Sequence, residues 1–462
     1  MIHREARFNF PPKILEFPQI YCILRNMNDT KTSAKHSCWK TIILVFAVAA
    51  LLLAFSGCFS PWAGDGTLTI NLDGGDSSRA VINPADIANF EYEIILEGPG
   101  GKITKSVKGG GSITVELTAG TWDLMLRAIG DRPDDDPLGD YMFTVHYPPR
   151  MLRALGFDNA VDVKAGKNTN VTLKMKAAIE ISNPDQLELA YHEFSDTPVI
   201  WIIKESFEYD GILELMGQDL TLITDNSGKE VTLTCTDDLS SPGNEAIFDL
   251  YMSGKPSILT LGRPGMKGWL VIDGGGKEGY VKSGSLFRVN DSGCKLEMFD
   301  GVKLCNNFNE GYYGYSAYGG GVRVEYGAFI MNGGEISGNK AAANGTSGGF
   351  GGGVWVDSGS FIMNGGEISG NEAEAYGSSG GFGGGLYIDH DASAYYSHFE
   401  KTGGVIYGGT AGKKSNIADA PNNGHAVYNA NTPPKYRDDD VWDNISYDRS
   451  RLGEEYSGRW NE

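Results

Sequence analysis

The sequence predicts an all-β chain in which a right-handed parallel β-helix, or solenoid, follows a β-sandwich. Three observations carry that expectation. Gly-Gly-Gly-Val starts at Gly319 and again at Gly351, and Gly-Gly-Gly-Leu starts at Gly383, so a unit recurs every 32 residues (351 − 319 = 383 − 351 = 32). Within the unit, Phe329-Ile-Met-Asn-Gly-Gly-Glu-Ile-Ser-Gly-Asn339 returns letter for letter as Phe361 to Asn371. Ahead of the repeat, from Asp65 to Met175, short alternating apolar runs are separated by turn clusters at irregular spacing, as in a sandwich.

A fixed period of this size means units that bury their apolar faces only by stacking on one another. Inside one unit Val322 and Val324 flank Arg323, Phe329 and Met331 flank Ile330, and Ile336 stands before Ser-Gly-Asn. Alternation over such short runs predicts strands with one buried face. Gly321, Gly327, Gly333, Gly334 and Gly338 mark the corners. Equivalent residues then form columns: Val322 with Val354 and Leu386, Val324 with Val356 and Ile388, and Phe329 with Phe361 and Phe399. Asn332 over Asn364 and Asn339 over Asn371 predict amide ladders. Lys340 to Phe350, and its copy Glu372 to Phe382, lack a strand pattern and read as glycine-serine loops projecting from each turn.

Earlier turns are degenerate. Phe299 to Asn307 matches Met331 to Asn339, and Val199–Ile203, Ile212–Leu215, Leu220–Ile223, Val231–Leu233, Ile258–Leu261 and Leu270–Ile272 read as strands of less regular turns. Gly403 to Gly408 and Gly424 to Tyr428 echo the unit at the far end, so the solenoid is expected over 197–430. Its ends need covers, because an open terminal turn is an aggregation edge. Asn183-Pro-Asp-Gln186 starts a helix with Asn183 as N-cap, and Leu187, Ala190, Tyr191 and Phe194 follow helical spacing. This segment, 177–196, is expected as linker and N-terminal lid; the tail 431–462, with Trp442 and Trp460, is either a C-terminal cap or disordered.

Domain 65–176 contains expected strands at Thr67–Leu72, Tyr92–Leu96, Ile113–Leu117, Thr121–Leu126, Met142–Val145, Ala160–Val163 and Asn170–Met175. Asp131 to Asp140 reads as a solvated acidic loop. The edge Leu117-Thr-Ala-Gly-Thr-Trp-Asp-Leu124 resembles the pro-gly-thr-tyr edge of prealbumin-like and other immunoglobulin-like modules, which implies a spacer of that kind.

The N-terminus carries an address. Lys31, Lys35 and Lys40 precede an apolar run of fourteen residues, Ile42 to Phe55, and Ser56-Gly57-Cys58 closes it. That run is shorter than the roughly 20 residues a spanning helix needs, and its flanks fit a secretory signal. Cys58 after Ser-Gly resembles the lipobox of bacterial lipoproteins, with Phe55 an atypical residue in it; the alternative is an ordinary signal peptide with a chance cysteine. Residues 1–57 are thus a signal peptide with an upstream extension before Met27, and 58–64 a lipidated linker. Removing 1–57 leaves 39 − 7 = 32 basic and 59 − 3 = 56 acidic residues, a net charge near −24 that disfavours nucleic acid and anionic membranes as partners. Cys235, Cys294 and Cys305 are the cysteines beyond Cys58; an odd count gives no disulfide framework, and Cys294 and Cys305 are either paired or buried free thiols.

The units resemble the paired "GGA[ILV]" and "FxxN" repeats of chlamydial polymorphic outer-membrane proteins. They resemble more closely the "GGGVYV…FTMNGGTISGN" repeats of bacterial right-handed parallel β-helix lipoproteins. The likeness is tight over 285–430 and loose over 180–285. It implies a surface-exposed β-helix of the bacterial outer membrane or cell surface, of adhesive or unassigned function. The polymorphic proteins carry a C-terminal autotransporter barrel, whose anchoring role lipidation would take here.

Candidate chemistry centres on one column. Glu325, Asp357 and Asp389 are expected to face outward in adjacent turns beside Arg323, Trp355 and Tyr387. Stacked carboxylates offer calcium ligands, and aromatics beside carboxylates suit sugar rings; the plainer reading is that outward positions are simply polar or amphipathic. No other cofactor is expected. Glu335 over Glu367 is a like-charge pair that needs hydration or a cation, and Tyr318, Phe350 and Phe382 are expected to pack the loop base. His390, His398 and His425 lack zinc-site spacing, and Gly408 to Ser415 lacks both the first glycine and the following helix of a phosphate loop. The expected function is therefore non-catalytic: adhesion, or contact with a glycan or a host or cell-surface protein. The alternative is a cell-surface polysaccharide lyase or glycoside hydrolase using Glu325, Asp357 or Asp389.

Overall fold

The computed structural model describes residues 64–72, 89–131, 150–193, 198–236, 246–276, 284–311, 315–344, 346–377, 379–389, 397–409, 412–419 and 423–430, with short strands at 435–437, 442–443 and 447–448. Cys58, Met142–Val145, Phe194, His390 and Trp460 lie outside them. From Asp65 onward the chain is one compact unit, mostly β, with long parallel sheets and a solenoid-like order of strands.

The first part places two sheets against each other. Ser112–Thr118, Asp65–Asn71 and Asn168–Thr172 form one; Gly101–Lys108, Glu91–Gly98, Gly120–Asp131 and Arg150–Val163 form part of the other. Their alternating residues, among them Leu68, Ile70, Ile94, Leu96, Trp122 and Leu124, make a common core. Trp122 is fully buried and its indole N–H donates to the Thr118 carbonyl at 2.8 Å, which satisfies the one polar atom that ring carries.

The second sheet does not end there. Lys176–Ile181 pairs antiparallel with Arg150–Val163 on one side and parallel with Val199–Ile203 on the other, so a thirteen-stranded sheet runs from the first part into the repeats. The stretch expected as a linker from residue 177 is largely this strand. The loop after Ile258–Leu261 adds a clasp: Asn159 Nδ2 donates to the Pro264 carbonyl at 2.6 Å, and Arg263 donates to Asn159 Oδ1 at 2.9 Å while lying 4.8 Å over the Phe157 ring.

The helix forms at Pro184–Glu193, as its start signals predict. The Gln186 N–H donates to Asn183 Oδ1 at 2.9 Å, and Gln186 Oε1 accepts from the Ser182 N–H at 2.8 Å, a variant of the capping box that reaches one residue before the cap. Leu187 and Ala190 are fully buried against the first coil, so the helix closes that end of the core.

In the repeats, three parallel stacks wrap one continuous core. The Val322–Val324, Val354–Val356 and Leu386–Ile388 strands lie in register, as do Ala328–Met331, Ser360–Met363 and His398–Lys401, and Glu335–Ser337 with Glu367–Ser369. Phe329, Phe361 and Phe399 stack with ring centroids 5.0 and 5.4 Å apart. The amide ladder is longer than the exact repeat: Asn339 and Asn371 each donate backbone and side-chain N–H groups to the next Asn Oδ1, ending at Asn416, and Asn307 donates its backbone N–H to Asn339.

The segments expected as projecting loops are arms with strands of their own. Lys340–Ala343 pairs with Phe308–Gly311 and Glu372–Ala375, and Gly349–Phe350 pairs with Ala317–Tyr318. Ala341, Ala342 and Ala343 are fully buried. Each arm runs out and back beside its neighbours, which explains the triple glycine. Gly351 takes a left-handed φ of 67°, a Cβ on Gly352 would collide with the Glu372 backbone, and one on Gly353 would meet Asn371 Nδ2 of the ladder at 3.0 Å.

At the far end the tail turns antiparallel. Lys435–Arg437, Trp442–Asp443 and Tyr447–Asp448 pair with the last strand of each stack, so this part of the tail is a cover. Under it, Lys401 takes the place of Met331 and Met363 in their column, fully buried, with Nζ donating to the Gly404 carbonyl at 2.8 Å.

Candidate functional site

The register places Arg323, Trp355 and Tyr387 side by side on the outer face of one stack, between Arg288 before them and Tyr428 after. Their side chains point away from the core, because Val322, Val324 and their equivalents point into it. The face is nevertheless not open. Trp355 is 4% exposed and Tyr387 8%. The return limbs of the arms lie over them: Tyr318, Phe350 and Phe382 stack on one another at 5.6 and 5.8 Å. They also contact Trp355 at 4.7 Å, Tyr387 at 5.0 Å and Tyr428 at 5.0 Å respectively. Two aromatic columns thus form a second apolar layer outside the main core. The expectation of an open ligand face is corrected on this point, since a ring on a strand's outer side is buried once an arm folds back over it.

The acidic column is also where the register predicts, at the ends of these strands, but its members differ. Glu325 is buried between two guanidiniums: Arg288 Nη2 lies 2.9 Å from its carboxylate, and Arg323 holds the other oxygen. Arg288 also reaches Asp249 at 3.4 Å and the Tyr251 hydroxyl at 3.4 Å, and Arg323 lies 5.2 and 5.4 Å over the Tyr318 and Trp355 rings. Burial and the Asp249 carboxylate push the Tyr251 phenol up to about 12. The result is a nearly closed network of two arginines and two carboxylates.

Asp357 and Asp389 are half-buried and fix their own turns: their N–H groups donate to the Val324 and Val356 carbonyls at 2.7 Å, and Asp357 Oδ1 accepts from Ser358 Oγ at 3.2 Å. Burial, then Asp389, drives the Tyr387 phenol well above its ordinary range. The Trp355 indole N–H has no hydrogen-bond partner among the described residues.

Calcium fits this column poorly, because Arg288 and Arg323 already neutralise Glu325. Among the described residues no group of three or more His, Cys, Asp or Glu side chains is arranged to hold a metal ion. His425 Nδ1 accepts from the Ala418 N–H at 2.8 Å, and His398 faces Glu400 at 3.8 Å. The like-charge pair Glu335 and Glu367 is resolved by lysines: Lys303 reaches Glu335 at 2.9 Å and Lys414 reaches Glu367 at 2.8 Å. Cys235, Cys294 and Cys305 are buried free thiols, so Cys294 and Cys305 do not pair.

Asp249, Tyr251 and Arg288 went unnoticed in the sequence because they sit in degenerate turns off the 32-residue period. The signal available was that Asp249 and Arg288 each stand fourth in paired strands of the same stack, with Tyr251 two residues after Asp249. No family model matches the chain, and neither a curated protein nor a solved structure does.

Proposed function

We propose that this chain is a bacterial surface lipoprotein, anchored through Cys58, that makes adhesive or glycan and protein contacts without catalysis. In this reading its body is a right-handed parallel β-helix rising from an immunoglobulin-like or prealbumin-like sandwich. The observation that carries it is how the repeat uses its side chains. Its aromatic and acidic columns are engaged in packing and ion pairs, whereas Tyr315 and Tyr376 on the arms and Tyr326 in the turn after Val322–Val324 stay more than half exposed. Exposed tyrosines on a rigid frame give large contact area at small entropic cost, and their faces suit sugar rings.

The test is a glycan and cell-surface protein array probed with the intact chain and with a Tyr315→Ala, Tyr326→Ala, Tyr376→Ala variant, beside palmitate labelling in a Cys58→Ala background. Loss of array signal in the triple variant supports the reading. A signal that survives it, or that tracks Trp355→Ala instead, removes the exposed tyrosines from the account. Labelling that persists without Cys58 removes the anchor.

A second reading, a polysaccharide lyase or hydrolase, is favoured by one cluster: Asp249, Tyr251, Arg288 and Glu325 bring two carboxylates, a guanidinium and a phenol together. Release of unsaturated or reducing sugars by the native chain, absent in Glu325→Gln, would establish it in place of the first.

A further inference from the structure

We propose that the cleft where the first β-body meets the repeats binds a small carboxylate with an apolar body. This site is independent of the arms and of the lipid anchor.

The cleft follows from strand pairing. Arg150–Val163 bonds to Lys176–Ile181 only at Ala154 with Ala177 and Leu155 with Lys176. Beyond that contact Lys176–Ile181 follows Val199–Ile203 instead, and the strand from Arg150 stays with Gly120–Asp131. The gap left between them is a cavity of about 300 Å³. That is the lower end of the volume range of small-molecule sites, which favour junctions between domains.

Its lining has two characters. Ile129, Met151 and Leu152 supply an apolar wall, with Met151 and its flexible thioether able to fit varied shapes. Arg127, Arg150 and Lys204 supply three positive charges against one lining carboxylate, Glu180, in a chain whose net charge is −20. Glu93, Glu91 and Asp131 at the rim pair with the two arginines, so the positive balance belongs to the lining itself.

The cations are only partly committed. Arg127 uses two of its donors, on Glu93 at 2.7 Å and on Glu180 at 2.8 Å, and Lys204 reaches Glu180 at 3.2 Å. Arg150 holds Glu91 at 3.1 Å and Asp131 at 3.6 Å, but all three side chains are 40% exposed or more, and such screened pairs exchange readily. Arg150 and Lys204 both line the cleft, and a planar carboxylate matches the donor fork of the first and the ammonium of the second. Glu180 inside the cleft sets the charge limit, since it repels a dianion such as phosphate more than a monoanion.

Hexanoate and benzoate serve as probes, with hexanol and benzyl alcohol as uncharged matches and inorganic phosphate as the dianion, each titrated calorimetrically into the full chain. The expected result is saturable carboxylate binding about tenfold tighter than that of the matching alcohol. It should weaken about fivefold in Arg150→Gln and in Lys204→Gln and vanish in Met151→Glu. Melting curves of the Arg150→Gln variant, a change at an exposed side chain, separate lost binding from lost folding. Equal affinity for acid and alcohol, tighter binding of phosphate, or affinities unchanged in all three variants would overturn the proposal.

Discussion

Trp355 packs its indole against Tyr318, 4.7 Å between ring centroids, although Tyr318 reaches it on the arm of the preceding turn. The pair joins a strand of the stack to a limb that folds back over it, so Trp355 is a core residue of the outer layer. Truncating it should cost about 3–5 kcal/mol, as for other buried aromatics. Urea unfolding of Trp355→Ala checks this, and a change near zero would mean that the arm leaves the strand uncovered in solution.

Replacing Asn371 by Ala should cost more than the loss of its own bonds. Asn371 Oδ1 accepts from both the backbone and the side chain of Asn339, at 3.0 and 3.1 Å, and those donors are fully buried. Each buried group left unsatisfied costs about 1–3 kcal/mol. The Asn364→Ala change, in the exposed ladder where Asn364 donates to Asn332 at 2.9 Å, is the control and should cost far less. Comparable losses in both variants would contradict the buried-ladder account.

Two glycine substitutions separate crowding from backbone strain. Gly166 has a φ of 68° with nothing within 4 Å of an added Cβ, so Gly166→Ala should cost only the left-handed penalty of about 1–2 kcal/mol. Gly352 is crowded instead, because an added Cβ would strike the Glu372 backbone. Gly352→Ala should cost more and raise hydrogen exchange in Lys340–Ala343 and Glu372–Ala375. Exchange that stays native-like in those strands would show that the arm tolerates the side chain.

Cys305 and Glu335 should give opposite pH signatures. Burial, helped by Asp273, pushes the Cys305 thiol up to about 12, so the folded state prefers the neutral form. The unfolded chain ionises first, and the stability linked to this thiol is lost as pH rises from about 9 toward 12. At pH 8.5, iodoacetamide should label Cys305 in urea but not in buffer. Burial alone would raise the Glu335 carboxyl, but hydrogen bonds from Ser337 and Lys303 and the charges of Lys303 and Lys414 outweigh it and hold the group low. Its contribution is present above pH 4.5 and is lost as pH falls through the lowered folded value. Lys303→Met should therefore move the acid unfolding midpoint upward, and an unmoved midpoint would exclude the pair as a contributor.

Much of the fold could be read from residue order, for a physical reason. Stacking fixes identical side chains in columns, so Phe329, Phe361 and Phe399 had to recur and their register followed. Lys340–Ala343 stayed hidden because both its sides are covered at close range: burial there demands alanine and glycine, and the apolar alternation that marks a strand disappears. Gly101–Lys108 is hidden for the opposite reason, as an edge strand largely open on both faces. The candidate site was half legible. Direction and register of Arg323, Trp355, Tyr387 and the carboxylates were predictable, whereas their burial depended on the course of the arm.

The narrow pairing at Ala154 and Leu155 sets how the molecule carries load. A tether on the N-terminal side and a grip on the last coil would pull across the ladders of a continuous sheet, rung by rung in series. Most rungs inside the stack hold three to five residue pairs, while the rung joining the first β-body to the repeats holds two. Tension should open the molecule there first, with Arg263 and Asn159 as the adjoining latch, and leave the coils intact beyond the break.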